Sequence, residues 1–361
     1  MYISIIKLNT NGNSRNRVSM NYYNLMNYRA VNHIKNQIKS CSLYKDVYNY
    51  INPVITDVSL RDGIQGLTPE LMTTEKKQII FQHIHDMKFV SNIEIGSIVS
   101  HKHMPVMKDV PNLYQSCIQY IESKDSVEEM IISADKEIED YYPNIFTLIP
   151  NMNKLKVAEK HAMTNYAFVT SVSNSFQERN INRSLQESNT ELYKMQEYLK
   201  YKRENNISPI NTKLYISCID HCPYEGKIKT EDVVTHIVNH ACTEYYNEVC
   251  LSDTCGSLTF NSYRSILDEC LKDINPNMIS LHLHVNKKNH LTIENIIRYS
   301  LNKGVHRFDV SLLEHGGCSM TLKDDDKYSN LDYILLCKIL DRYIKENVER
   351  LRIMERERNK L

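Results

Sequence analysis

The chain has 361 residues, 42% hydrophobic and 24% charged, with 44 basic residues balancing 44 acidic ones. This composition suits a chain that buries a core and argues against disorder throughout or binding to nucleic acid or an anionic membrane surface through overall charge. No apolar run approaches the roughly 20 residues that span a bilayer and the first segment lacks a signal-peptide core, so a soluble intracellular protein with small-molecule partners, not nucleic acid or membrane, is expected.

In chain order, residues 1–50 read as a basic extension. Met1 to Lys45 carries Lys7, Arg15, Arg17, Arg29, Lys35, Lys39 and Lys45 and no acidic residue. A solvated extension is the plain reading, and a mitochondrial transit segment is the alternative. From there to residue 345, short β-branched runs alternate with longer stretches at helical spacing, the pattern of repeated βα units. The expected strands are Val54–Val58, Phe89–Ile95, Ile145–Ile149, Tyr166–Thr170, Lys213–Cys218, Glu248–Ser252, Met278–His284 and Arg307–Leu312. Helices are expected over Thr74–Met87, Ser184–Asn205, Thr230–Thr243, Asn261–Lys272 and Thr292–Asn302, with Thr230 and Thr292 as N-caps and Lys303-Gly304 as a stop. Eight such units over nearly 300 residues predict a single (β/α)8 TIM barrel of the α/β class. Residues 346–361, ending in the run Glu355-Arg356-Glu357-Arg358, read as a charged helical tail with a solvated face.

Ten Cys are dispersed along the chain, which fits a reducing compartment and a cytoplasmic location, the mitochondrial matrix being the alternative. Cys218 and Cys222 are four apart without a second pair, a weak zinc signal.

Gly is scarce, with nine in all, and Gly63, Gly66, Gly96, Gly226, Gly256, Gly316 and Gly317 each follow an expected strand. Arg61, Asp62, Glu94, Cys218, Asp253, Thr254, His282, His284 and Cys318 cluster in the same places. In a TIM barrel the loops after the strands form the active-site face. Residues two apart on a strand share a face, so His282 and His284 can reach one ion, and Asp62 after the first strand comes near them once the barrel closes. An Asp/His/His set completed by an amide or water oxygen suits Mg2+ or Mn2+.

The run Asp57-Val58-Ser59-Leu60-Arg61-Asp62-Gly63-Ile64-Gln65 resembles the opening motif of the barrel metallolyases and Claisen-type synthases, Asp-x-Thr/Ser-Leu-Arg-Asp-Gly-x-Gln. The segments Glu94 to Asp109, Asn180-Ile181-Asn182 and Tyr215 to Lys227 narrow the resemblance to the 3-hydroxy-3-methylglutaryl-CoA lyase family. Ser252-Asp253-Thr254, His282-x-His284 and Gly316-Gly317-Cys318 follow in the family's order. The resemblance covers about Val54 to Leu340. It implies that Asp62, His282, His284 and Asn330 hold a divalent ion. It also implies that Arg61 stabilises an enolate, that Cys318 transfers a proton, and that Gln65 and Glu94 support the catalytic groups. Ser97, Thr254 and Lys213, the last in place of a family Arg, would join Arg61 in binding an acyl-CoA, and a homodimer is a possible state.

Some residues depart from that family. Val285 stands where an Asp usually follows the second His, and His221 replaces a Gly. Residues 319–329 form a longer, charged, Gly-free connection in which one of Asp324, Asp325 and Asp326 could replace Asn330 as ligand. Three readings therefore stand at this level: an active lyase, a related synthase, and a barrel kept for binding or regulation.

Overall fold

The computed structural model describes residues 15–131, 141–205, 210–286, 288–313 and 328–358. In chain order the strands are β1 (Val54–Asp57), β2 (Asn92–Ser97), β3 (Asn144–Leu148), β4 (Asn165–Ser171), β5 (Asn211–Ser217), β6 (His221–Cys222), β7 (Gly226–Lys227), β8 (Glu248–Ser252), β9 (Ile279–His282), β10 (His284–Val285), β11 (Arg307–Val310) and β12 (Ser329–Asn330). Eight of them close into a parallel barrel in the order β1-β11-β9-β8-β5-β4-β3-β2. The chain is a (β/α)8 barrel. The four two-residue strands pair antiparallel, β6 with β7 and β10 with β12, in connections that follow barrel strands.

The helices are α1 (Arg15–Ser40), α2 (Ser42–Ile51), α3 (Thr74–Asp86), α4 (Val110–Ile131), α5 (Met152–Lys160), α6 (Asn174–Ile181), α7 (Leu185–Glu204), α8 (Thr230–Ala241), α9 (Phe260–Cys270), α10 (His290–Asn302) and α11 (Tyr333–Arg358). Thr73 caps α3 by accepting from the Lys76 amide, and Ser184 with Glu187 forms a capping box on α7. The expected Thr caps at 230 and 292 are not used. Lys229 and Asn289 occupy those cap positions without a side-chain bond, so both helices begin before the sequence signal.

The basic extension is not simply solvated. Val31 and Ile34 of α1 and Tyr44, Val47 and Ile51 of α2 are buried in the main core, as are Leu340 and Ile344 of α11. His33 Nε2 lies 3.4 Å from the Asp341 carboxylate, and the Tyr44 hydroxyl donates to Asp341 at 3.2 Å. Each fully buried Ile or Val contributes roughly 1.5–3 kcal/mol, enough to hold a basic segment against the barrel despite its charge. The last turns of α11, Glu355 to Arg358, are exposed. Among the described residues, no helix is long and apolar enough to cross a membrane.

Strand alternation divides the core in two. Leu214 and Ile216 of β5, Val249 and Leu251 of β8, Leu281 of β9 and Phe308 of β11 belong to the large apolar core with the surrounding helices. The intervening residues face the barrel interior, which is unusually polar here. Toward the amino-terminal end, Asn144 donates to Asn92 at 3.1 Å, Asn92 to Thr56 at 3.1 Å and Asn211 to Asn165 at 2.9 Å. Above them lie Lys213, Glu248 and Asp309, and above those the site.

Two strands differ from the sequence reading in ways that shape the site. The second strand starts at Asn92 rather than Phe89 and runs through Gly96, with a register shift between Glu94 and Ser97. The seventh was expected as one run to His284, but it stops at His282. After Leu283 the chain restarts as β10, whose His284 pairs across from Asn330 of β12.

Candidate active site

Asp62 opens a single 3-10 turn, Asp62–Ile64, directly after β1. The amides of Arg61, Asp62 and Gly63 all lie within 3.1 Å of the Val58 carbonyl, which folds this turn tightly over the strand end. That turn places the Asp62 carboxylate opposite the end of β9. The His282 Nε2 lies 3.8 Å and the His284 Nε2 3.9 Å from the same Asp62 oxygen. These separations are too long for hydrogen bonds, whereas two atoms each about 2.1 Å from one ion lie no more than about 4.2 Å apart. One ligand atom from each of the three residues falls within 4.8 Å of the other two.

The imidazoles are oriented from behind. His282 Nδ1 is 3.2 Å from Asp309 Oδ2, and His284 Nδ1 is 2.7 Å from the Asp253 carbonyl. With the proton on Nδ1 in each ring, both Nε2 lone pairs face Asp62, the tautomer a metal ligand needs. The two rings stand nearly perpendicular, 5.0 Å apart.

Asn330 arrives from β12 by pairing with His284, and its Nδ2 donates to Asp62 Oδ2 at 2.9 Å. Its Oδ1 is buried without a hydrogen bond among the described residues, as is His284 Nε2. A half-turn of the amide would exchange Nδ2 for Oδ1 and present an oxygen to an ion. These buried acceptors, with one carboxylate and two imidazoles, fit a hard divalent cation.

Arg61 stands beside this triangle. Its Nε donates to Glu94 at 2.7 Å, its Nη1 to Asp62 at 2.9 Å, and its guanidinium lies 4.7 Å from the centre of the Tyr215 ring. Nη2 has no hydrogen-bond partner among the described residues. Burial works against both charges, yet Glu94 holds the guanidinium pKa above its ordinary value and Arg61 holds Asp62 well below the carboxylate range. Both groups are therefore charged at neutral pH, and Arg61 keeps one rigid donor to offer an anionic oxygen.

Gln65 donates to Asp62 at 2.9 Å, and Thr254 accepts from the Cys218 amide at 2.8 Å. Gln65, Ser97 and Thr254 line, with Arg61, Asp62 and both His, a cavity of about 170 Å³ at the carboxyl-terminal mouth of the barrel. Val99, Met104, Leu148, Val169, Phe176 and Ile181 form its apolar side. In the barrel order β4 lies opposite β11, which separates β1 from β9, so Val169 of β4 and Phe176 and Ile181 of the helix after it face the Asp/His/His group across the mouth, whereas Val99 and Met104 follow β2 beside β1.

Lys213 is placed elsewhere. It is buried below Tyr215, with Nζ 2.5 Å from Asp309 and 2.8 Å from Glu248, and it does not line the cavity. Its long stem spends its charge inside the barrel. Cys318, Gly316, Gly317 and Asp324 to Asp326 lie outside the described residues.

Sequence reasoning did not single out Tyr215, Asp309 or Glu248. The Tyr215 hydroxyl is 2.8 Å from Glu94 and 2.9 Å from Asp309, one proton facing two carboxylates. Burial would raise the Asp309 pKa, but Lys213 and His282 hold it at about 2. Asp309 thus ties the buried Lys213 to the ring that orients His282. The available signal was polarity at inward-facing positions: Lys213 and Tyr215 on β5, Arg307 and Asp309 on β11.

Comparison with known proteins agrees with this geometry. The HMGL-like family model matches residues 52–319. The chain is 29% identical over 264 residues to the cytoplasmic 3-hydroxy-3-methylglutaryl-CoA lyase of Rattus norvegicus, covering 73% of this chain and 68% of the rat protein. It is 26% identical over 296 residues to hydroxymethylglutaryl-CoA lyase YngG of Bacillus subtilis, covering 82% and 87%. The crystal structure of an HMG-CoA lyase from Acinetobacter baumannii, in complex with coenzyme A and 3-methylmalate, superposes with a TM-score of 0.62 at 22% identity over 81% of this chain and 88% of that one. With the family match spanning most of the chain and the Asp/His/His group at the mouth of its barrel, this protein belongs to the HMGL-like family.

Proposed function

We propose that this chain is a metal-dependent carbon–carbon lyase that cleaves 3-hydroxy-3-methylglutaryl-CoA, or a closely related 3-hydroxyacyl-CoA, into acetyl-CoA and acetoacetate. The observation that carries the reading is the convergence of Asp62, His282 and His284, both rings turned inward, beside Arg61 Nη2, a donor with no hydrogen-bond partner among the described residues. Relatives named as lyases of that substrate support it.

Mg2+ or Mn2+ held by Asp62, His282, His284 and Asn330 would supply Lewis acidity toward the substrate's hydroxyl and acyl oxygens. Loss of the hydroxyl proton to water at the open mouth turns that oxygen into the ketone of acetoacetate as the adjacent carbon–carbon bond breaks. The bonding pair passes to the thioester fragment as an enolate, and Arg61 Nη2 donates to its oxygen. Glu94 and Asp62 fix the guanidinium so that no reorientation is needed as charge develops. Cys318 would return a proton to the enolate carbon, completing acetyl-CoA.

The test is acetyl-CoA release from 3-hydroxy-3-methylglutaryl-CoA with Mg2+ or Mn2+ and after chelation. Metal-dependent release is expected. Acyl-CoA binding without release would favour the binding or regulatory reading, and condensation without cleavage would favour the synthase.

A further inference from the structure

Outside the barrel wall a second pair of imidazoles stands close together. His236 and His240 are one turn apart on α8, and their ring centres are 4.7 Å apart. Two imidazoles bound through nitrogen to one ion at about 2.1 Å place their ring centres about 5 Å apart. The His282 and His284 rings at the mouth are separated by 5.0 Å. Neither His236 nor His240 lines the cavity there.

The seam where α7 and α8 cover β4 adds polar groups around this pair. Thr170 of β4 is fully buried, and its hydroxyl oxygen lies 3.5 Å from His236 Nε2. That is long for a hydrogen bond and within the roughly 4.2 Å that two ligand atoms of one ion can span. The Tyr246 ring lies 6.3 Å from the His240 ring and 6.3 Å from that of Phe168 on β4, and Gln196 of α7 stands beside it. Gln196 is fully buried, and neither atom of its amide has a hydrogen-bond partner among the described residues. Buried polar atoms are seldom left unpaired, so the seam lacks one polar occupant. Burial lowers the pKa of both imidazoles and no carboxylate among the described residues opposes it, so both are neutral, the form that binds metal. Both rings are only partly buried, which leaves an ion a way in from the surface.

We propose that His236 and His240 hold one divalent transition ion of the Zn2+ class, with water in its remaining positions and the Thr170 hydroxyl and Gln196 amide bonded to that water. Imidazole ligands without a carboxylate suit Zn2+ rather than Mg2+, which takes oxygen ligands. The ion ties adjacent turns of α8 to β4 and α7, a structural site separate from the mouth and independent of the lyase reading.

The experiment strips the full chain with chelator and counts bound Zn2+ by equilibrium dialysis. The proteins are the parent, His236→Gln, His240→Gln, the double variant, and His282→Gln, which weakens only the mouth site. The parent and His282→Gln should each carry one equivalent that the double variant lacks, each single variant should bind it more weakly, and excess Mg2+ should not displace it. Zn2+ should raise the urea midpoint of His282→Gln, and this rise should be absent when His236→Gln and His240→Gln are added. If the double variant does not fold, the two single variants decide by the same count. An equal Zn2+ count and affinity in the parent and the His236 and His240 variants would overturn the proposal, as would an equivalent that Mg2+ displaces or a His282→Gln midpoint that Zn2+ leaves unmoved.

Discussion

Replacing Arg61 with Lys separates charge from geometry at the centre of the site. The guanidinium makes two ion-pair contacts at once, 2.7 Å to Glu94 and 2.9 Å to Asp62, and still has Nη2 to give. A Lys ammonium is a single point on a flexible stem and cannot serve Glu94, Asp62 and a substrate oxygen together. One buried charge-assisted hydrogen bond is therefore lost, at about 1.5–3 kcal/mol of stability. Loss of a fixed donor to a developing oxyanion costs about 10²–10³ in kcat. The assay is metal-dependent acetyl-CoA release at saturating substrate, with urea unfolding to show that the variant is folded. A folded Lys variant within about 5-fold of the parent rate would refute a transition-state role for the guanidinium and leave Arg61 as a structural ion pair.

Asp57, fully buried under α11 and accepting from Tyr333 at 2.6 Å, has its pKa raised by burial from 3.8 to about 6. A raised folded-state pKa means stability present below about pH 4 and lost as pH rises through 6. Relative to the parent, Asp57→Asn should gain about 3 kcal/mol between pH 4 and pH 8, read from urea midpoints, and a pH-independent difference would contradict this. Gly256 has φ +63°, and a Cβ there would sit 2.6 Å from the Tyr328 ring beside Ser329 and Asn330. Gly256→Ala should cost about 1–3 kcal/mol and weaken Mn2+ binding, and unchanged titrations would show that Tyr328 yields freely. Cys318→Ala should lower the metal-dependent rate by about 10²–10⁴, and an unchanged rate would remove the thiol from the chemistry.

The sequence by itself determined the barrel and the end of it that carries chemistry. Alternating strands of Val, Ile, Leu and Phe at regular spacing leave few other ways to bury so much apolar surface. The run from Asp57 to Gln65 is contiguous because one strand end and one tight turn place it, so it could be read locally. Lys213 could not be read that way. Its residue type suits an anionic substrate, and only barrel closure shows Glu248 and Asp309 from two other strands enclosing it. The two His illustrate the same limit. Their spacing suggested one strand face, whereas the chain breaks at Leu283, and they converge because Asp309 and the Asp253 carbonyl turn each ring from a different strand. Asn330 reaches Asp62 only through the pairing of β12 with β10. Local pattern fixes elements, but side chains far apart in sequence meet only after closure sets strand order and register, and both the partners of Lys213 and the site's geometry depend on that closure.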